Sequence, residues 1–203
     1  AVRDDDLHVE RAALRVAEIK FALAGGLAIW ARGGPVTDHD VDILVKPEDA
    51  ERAQRALTEE AGLVPYEVEH LTTHLHAHLH LFVDGQPVVI PAGVGIAIGL
   101  KGVKDEPTDD GTEHFYSVTT CDVPCLSPLH THQPDGVIHE ESPESNHPPY
   151  TLGQFFTEFG VALDANCVGE YCKPDALIHV YLDGKEYSGD PSEIPLTNHL
   201  EIA

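Results

Sequence analysis

The chain has 203 residues, and its 35 Asp and Glu residues against 12 Lys and Arg residues give a formal net charge of −23. Such an acidic surface repels phosphate backbones, so we do not expect nucleic-acid binding, but we do expect attraction of cations. No apolar run approaches the roughly 20 residues that span a bilayer, so we predict a soluble chain without a membrane-spanning segment.

Residues 1–70 have the pattern of a partial α/β unit. A helix is predicted over 6–22, because apolar residues recur near helical spacing after Asp6, which can cap it. "FALAGG" then predicts a short strand that enters a glycine turn, "LAIWARGG" a short helix and "VDILV" a buried strand. "PEDAERAQRALTEEAG" predicts the clearest helix, since Pro47 suits its first turn and Gly62 its end.

"LAGGLAIW" followed by "DHDVDILV" resembles the opening of the minimal nucleotidyltransferase family, over about residues 20–63. The resemblance implies that Gly25 and Gly26 let a triphosphate approach the backbone. It also implies that Asp40 and Asp42 are catalytic and hold the Mg²⁺ that clamps the triphosphate. Members carry a third carboxylate on a later strand, but "QPVVIP" has none here. We therefore expect a degenerate segment, with active Mg²⁺-dependent transfer as the alternative.

After about residue 70 the sequence changes to short strands, prolines and Asp-Gly turns, which predicts a small β-rich domain over 71–203. Its one helix is "TLGQFFTEFG". "HLFVDGQPVVI" and "HVYLDGKEY" predict hairpins with type I′ Asp-Gly turns, and we expect both in one sheet. "GVIHEES" and "NHLEIA" are further predicted strands, and 101–113 is a predicted acidic loop. The whole chain is predicted to be α+β, with a nucleotidyltransferase-like unit at 1–70 and the β-rich domain after it.

The stretch "HLHAHLHLFVDG", residues 74–85, places a histidine at every second position of a predicted strand. Side chains alternate between the faces of a strand, so His74, His76, His78 and His80 share one face. The apolar residues between them predict a core on the other face. The face that carries the histidines is then available to bind a ligand.

A second His-x-His pair lies in "PLHTHQPDGVIHEES", where His139 follows a turn. If this hairpin packs beside the histidine strand, several imidazoles converge from adjacent strands. Imidazole is the commonest ligand for zinc and copper, and a strand fixes such a pair with little entropy to lose. The alternative is a solvated sheet face of surface histidines. The predicted metal ligands are His76, His78, His130, His132 and His139.

All four cysteines lie in the second half, as the close pairs Cys121/Cys125 and Cys167/Cys172. Their CxxxC and CxxxxC spacings differ from the CxxC spacing that is usual for zinc. We therefore predict two local disulfides, and the alternative is a zinc site with four thiolate ligands. Disulfides indicate an extracytoplasmic or secreted protein. Reduced cysteines would indicate the cytoplasm instead.

Residues from about 74 to the end are also similar to a family of small, His-rich prokaryotic domains that are often secreted or membrane-tethered. The similarity is carried by "HAHL", "PLHTH" with "DGVIHEES", and "TLGQFF", in this order. It implies an extracytoplasmic, metal-binding, β-rich domain.

The leading functional hypothesis is a protein that binds zinc or copper at the histidine site, with Mg²⁺ as a cofactor only if the first segment is active. The first alternative is a Mg²⁺-dependent nucleotidyltransferase that uses Asp40 and Asp42. The second is metal-assisted hydrolysis with Glu140 or Asp135 as the base. The third is a structural protein that assembles into homo-oligomers by pairing exposed strand edges.

Overall fold

The computed structural model describes residues 14, 17–23, 43–60, 62–107, 111, 113–145 and 147–203. The chain divides into two compact units, Ala1–Gly62 and Leu63–Ala203. The described elements mix two α-helices with many short strands, so the predicted α+β class is confirmed. Gly25, Gly26, Asp40 and Asp42 lie outside the described residues, as does the predicted helix "LAIWARGG".

The described residues of the first unit include two short paired strands and the helix that follows them. Strand β1, Phe21–Leu23, pairs antiparallel with β2, Ile43–Val45. A 3-10 turn at Pro47–Asp49 leads into α1, Ala50–Glu60, so proline opens the helical segment as predicted. The predicted helix over 6–22 extends too far, because Glu18 has a positive φ of 55° and the chain is already in a strand at Phe21. Leu14 is helical, and residues 6–13, 15 and 16 lie outside the described part.

The described residues of the second unit form one six-stranded sheet and three two-stranded hairpins. Its strands are β3 Thr73–Leu79, β4 Leu81–Val83, β5 Gln86–Val88, β6 Val103–Pro107, β7 His114–Val118, β8 Leu129–His130, β9 Val137–Ser142, β10 Cys167–Val168, β11 Tyr171–Cys172, β12 Val180–Leu182, β13 Lys185–Tyr187 and β14 Glu201–Ile202. The strand order in the large sheet is β13-β12-β14-β3-β9-β8, and only the β14–β3 pair is parallel. The helix is α2, Leu152–Phe159, and a 3-10 turn lies at Pro191–Glu193.

Both Asp-Gly dipeptides form the predicted tight turns. Asp84 and Gly85 have φ values of 50° and 74°, and Asp183 and Gly184 have values of 49° and 73°. Two successive positive φ values are the signature of a type I′ turn. The prediction that both hairpins share one sheet is wrong, because β4–β5 forms a separate two-stranded sheet while β12–β13 lies at the edge of the large one.

The predicted acidic loop over 101–113 is partly wrong. Residues Val103–Pro107 form strand β6, which pairs antiparallel with β7 in a hairpin. Four of the five β6 residues are exposed, so the strand shows no apolar alternation that the sequence could reveal. Backbone pairing with β7, and not burial of its own side chains, therefore defines this strand.

Helix α2 packs beside β8 and closes the core of the second unit. Thr151 and Gln154 form a reciprocal capping box at its start, and Gly160 ends it with a left-handed φ of 71°. Leu152, Phe155 and Phe156 are buried on its inner face. The predicted helix and both of its ends are confirmed. In the described part of the chain, no helix has the length and apolar character needed to cross a membrane.

Both predicted local disulfides are present in the second unit. Cys121–Cys125 is buried in an apolar cluster with Ile96, Val118 and Leu126. Cys167–Cys172 joins the paired strands β10 and β11, and its two residues are half-buried. Four sulfur atoms committed to disulfides cannot serve as zinc thiolates, which leaves the histidines as the metal-binding candidates in this unit.

Candidate metal centre

The histidine strand β3 lies directly beside β9, and β9 lies beside β8. The register places His76 opposite His139, and His139 opposite His130, so that three imidazoles form a row across three strands. Two residues further along β9, Glu141 lies opposite His74 of β3. Because side chains alternate, Glu141 lies on the same face of β9 as His139. The sheet thus assembles the histidine cluster that the two His-x-His pairs predicted.

His130 and His132 present two nitrogen lone pairs to each other. The Nδ1 atom of His130 lies 3.0 Å from the carbonyl oxygen of Ser127, and that of His132 lies 2.6 Å from the carbonyl oxygen of Tyr116. A carbonyl oxygen only accepts, so each Nδ1 must carry the proton. In the neutral rings both Nε2 atoms are then unprotonated, yet they lie 3.2 Å apart. No hydrogen bond can form between two such atoms.

Both members of this pair are buried. His130 is fully buried and His132 is 7% exposed. Burial, reinforced by repulsion from His132 and His139, holds the pKa of His130 well below its usual value. Burial, with repulsion from His132 and His76, lowers the pKa of His139 to about 3. His130 and His139 are therefore neutral at pH 7, and their nitrogens are available as ligands.

Glu141 supplies a carboxylate to the same face. Its Oε1 atom lies 3.9 Å from His130 Nε2, 3.9 Å from His139 Nδ1 and 3.5 Å from His74 Nε2. The side chain is only 2% exposed. Burial, together with the nearby Glu69, raises its pKa to about 7, although a hydrogen bond from the His70 backbone acts to lower it. Glu141 Oε2 and His139 Nδ1 are buried without a hydrogen-bond partner among the described residues. Buried polar atoms of this kind are costly unless a ligand satisfies them.

His74 and His76 form a second pair at the open edge of the cluster. Their Nε2 atoms lie 2.9 Å apart, and the ring of His76 meets that of His139 edge-on at a centroid distance of 4.3 Å. The side chain of His74 is 37% exposed. Burial and the neighbouring His74 lower the pKa of His76. This pair therefore connects the buried histidines to solvent.

His78, a predicted ligand, lies in a different group from the other four. Its Nε2 donates to the carbonyl oxygen of Asp135 at 2.9 Å, and its Nδ1 lies 3.3 Å from Glu201 Oε2. His80 Nε2 lies 3.2 Å from the same carboxylate oxygen. Glu201 comes from β14, which pairs in parallel with β3. His78 and His80 thus form an exposed group with Glu201.

Three groups in the described part of the chain have donor atoms close enough to hold a metal ion, all within 4.8 Å of one another in each group. They are His130, His132, His139 and Glu141; His74, His76 and His139; and His78, His80 and Glu201. Two nitrogens on one tetrahedral zinc ion, each about 2.0–2.1 Å from the metal, lie roughly 3.3 Å apart. The 3.2 Å between the Nε2 atoms of His130 and His132 fits that spacing. Imidazole and carboxylate donors suit zinc and copper.

Glu141 and Glu201, the carboxylates of the candidate groups, were not predicted from the sequence. Glu140, suggested as a base, lies on the opposite face of β9 and pairs with His147, its Oε1 3.4 Å from Nε2. Asp135 uses its carboxylate to accept from the backbone of Val137 and from Gln133. The His-x-Glu alternation of His139 and Glu141 is the signal that could have identified Glu141. Glu201 has no comparable signal, because only the sheet topology brings it to His78.

The sequence was also compared with known proteins. The sequence model of the aminoglycoside-2''-adenylyltransferase family matches residues 6–142. The comparisons with curated proteins and with solved structures found no match. The match covers more than half of the chain. It extends the nucleotidyltransferase resemblance well beyond residues 20–63, and it includes strands β3, β8 and β9. The chain therefore belongs to the aminoglycoside-2''-adenylyltransferase family.

Proposed function

We propose that the second unit binds a zinc or copper ion through His130, His132, His139 and Glu141. The observation that carries the proposal is the pair of facing Nε2 atoms of His130 and His132. In an empty site, two unprotonated nitrogens 3.2 Å apart repel each other and are shielded from water. A metal ion between them removes this repulsion, because each nitrogen then forms a coordinate bond to the ion.

The backbone around the pair supports this interpretation. Metal-bound histidines usually donate their second ring N–H to a carbonyl or a carboxylate, which fixes the tautomer and the ring orientation. Ser127 and Tyr116 provide such carbonyls for His130 and His132. A second hydrogen bond joins Tyr116 to His132, because the backbone N–H of Tyr116 donates to the carbonyl oxygen of His132 at 2.9 Å. The ligand positions are thus set by strand β7 as well as by β8.

Charge favours the same ligand class. Glu141 pairs only with histidines among the described ion pairs, and no Lys or Arg of the described chain neutralises it. The whole chain is strongly acidic, which raises the local concentration of cations. A cation is therefore the partner that this buried carboxylate lacks.

The test is a measurement of zinc and copper affinity by competition with a chromophoric chelator, on protein made without a histidine tag. We expect tight binding by the wild-type protein and a loss of at least about tenfold in His132→Gln, since a removed ligand costs more than a removed outer-shell partner. His179→Gln is the matched control, because His179 lies on the surface beside Glu186. Circular dichroism checks that both variants fold. Absence of binding by the wild type, or equal affinity in folded His132→Gln, would refute the proposal.

A second candidate function comes from the family match. Its members are named for adenylyl transfer to an aminoglycoside, and Asp40, Asp42, Gly25 and Gly26 lie within the matched residues. We propose that, if this activity is retained, Mg²⁺ at Asp40 and Asp42 holds the ATP phosphates. ATP consumption in the presence of Mg²⁺ and an aminoglycoside is the readout. Activity that is lost in Asp42→Asn, with unchanged zinc affinity at the histidines, would establish it; no turnover by the wild type would refute it.

A further inference from the structure

Resting on the proposed metal binding, we propose that the histidine face holds two metal ions side by side, with Glu141 as the ligand that both ions share. The two sites are the buried pair His130 and His132 and the outer pair His74 and His76.

The number of donors is the first argument. Five imidazoles and one carboxylate share this face, in two overlapping groups. One tetrahedral zinc ion takes four ligands, and copper sites of this kind take few more. A single ion at the buried pair therefore leaves the outer pair unused, although the Nε2 atoms of His74 and His76 lie only 2.9 Å apart.

The position of Glu141 is the second argument. Its Oε1 atom lies 3.5 Å from the Nε2 atom of His74 and 3.9 Å from that of His130, so it approaches one member of each pair. Its Oε2 atom is buried without a hydrogen-bond partner among the described residues. A carboxylate in this position can be shared by two ions, which lie about 3.5–4 Å apart in two-metal sites.

His139 is the third argument, because its ring lies between the two pairs. Its centroid is 4.3 Å from that of His76 and 4.5 Å from that of His132, and it meets both rings at a steep angle. His139 belongs to both candidate groups. It can complete either site, so the two ions are expected to influence each other's affinity.

The two sites differ in access to solvent. His130 is fully buried, whereas the side chain of His74 is 37% exposed. The inner ion is thus enclosed by protein ligands, and the outer ion, with fewer of them, keeps positions for water. An ion with open positions can bind and polarise a further ligand, which a closed structural site cannot do.

The experiment is a Co²⁺ and Cu²⁺ titration of the metal-free full chain, followed by equilibrium dialysis and, for copper, electron paramagnetic resonance. All proteins carry His78→Ala and His80→Ala, because that exposed pair with Glu201 could bind a further ion. We expect two equivalents to bind, with a copper signal that broadens or disappears as the second site fills. His74→Ala with His76→Ala should reduce the stoichiometry to one. His114→Ala with His179→Ala is the matched control and should keep two.

The outcomes separate this inference from the proposed function. A parent protein that binds only one equivalent, and still binds one after loss of His74 and His76, would overturn the two-ion site and leave the proposed function intact. Two equivalents without magnetic interaction would overturn the shared ligand, and so would an unchanged second affinity in Glu141→Gln. No binding at all would refute the proposed function and this inference together.

Discussion

Gly95 lies directly against the segment that carries His130. A Cβ atom at Gly95 would overlap the carbonyl oxygen of Leu129 and come within 3.1 Å of the His130 Cβ atom. The neighbouring backbone is bound to the same segment, since the N–H of Ser127 donates to the carbonyl oxygen of Gly95 at 2.7 Å. The absent side chain of Gly95 is therefore a condition for the position of a candidate ligand 35 positions further along the chain.

Substitution Gly95→Ala should weaken metal binding although Gly95 carries no ligand atom. The added methyl group must push β8 away from its place, and a misplaced ligand loses much of its coordination energy. We expect a fall in zinc affinity of about tenfold or more, measured by chelator competition. Gly184→Ala is a closely matched control, because its φ of 73° resembles the 70° of Gly95 but its Cβ would meet nothing within 4 Å. An equal effect of both variants would show that backbone strain, and not the contact with β8, is responsible.

Metal binding should also stabilise the folded chain. An ion that binds only the native state adds about 2.7 kcal/mol to the free energy of unfolding at a free concentration one hundred times its dissociation constant. Thermal unfolding of the metal-free protein, with and without zinc, measures this increment. The shift should be reversed by a chelator and fall to about half or less in His132→Gln, because its affinity is expected to be at least about tenfold weaker, while His179→Gln should retain the full shift. An undiminished zinc-dependent shift in His132→Gln would place the bound ion elsewhere.

The sequence was sufficient for those features that are encoded locally. The alternation of His74 to His80 identified one face of a strand, and Asp84–Gly85 and Asp183–Gly184 identified their turns, because these signals span only a few residues. Thr151 and Gly160 marked the ends of α2 for the same reason. The family resemblance was visible in the Gly-Gly and Asp-x-Asp stretches, and the family match confirms it.

Features that depend on distant pairing were missed or wrong. Glu201 reaches His78 only because β14 pairs in parallel with β3, which no local pattern reveals. The two Asp-Gly hairpins look alike but belong to different sheets, since a hairpin signal does not say which partner its outer strand will find. His78, a predicted ligand, lies with His80 and Glu201 in a separate candidate group, which the spacing of the histidines alone does not show.

The two disulfides should differ in their resistance to reduction. Exchange requires access of the attacking thiolate to a sulfur atom. Cys121 and Cys125 are 4% and 3% exposed within an apolar cluster, whereas Cys167 and Cys172 are half-buried on a short hairpin. We therefore expect mild phosphine treatment to release Cys167 and Cys172 first, as read by alkylation and peptide mass spectrometry. Denaturation in urea should remove the difference. Alkylation of four cysteines without any reductant would contradict both disulfides.

A half-buried glutamate on α2, Glu158, should make the stability of the protein fall as pH rises. Burial raises the pKa of Glu158 to about 7 from an ordinary value of 4.5, although a hydrogen bond with the Ser127 side chain acts to lower it. Between these two values the folded chain keeps a proton that the unfolded chain has released. The free energy of unfolding therefore decreases as pH rises from 4.5 through 7, by about 2–3 kcal/mol for this group.

Glu158→Gln removes this dependence, because glutamine stays neutral at every pH. The variant should gain stability relative to the wild type as pH rises from 4.5 to 8, as measured by urea unfolding followed by circular dichroism. The glutamates at 140 and 141 act in the same direction and the buried histidines in the opposite one, but these groups are present in both proteins and cancel in the difference. Glu67→Gln, at an exposed position, is the control and should show a difference that is flat with pH. A flat difference for Glu158→Gln as well would mean that water reaches this carboxylate in the folded chain.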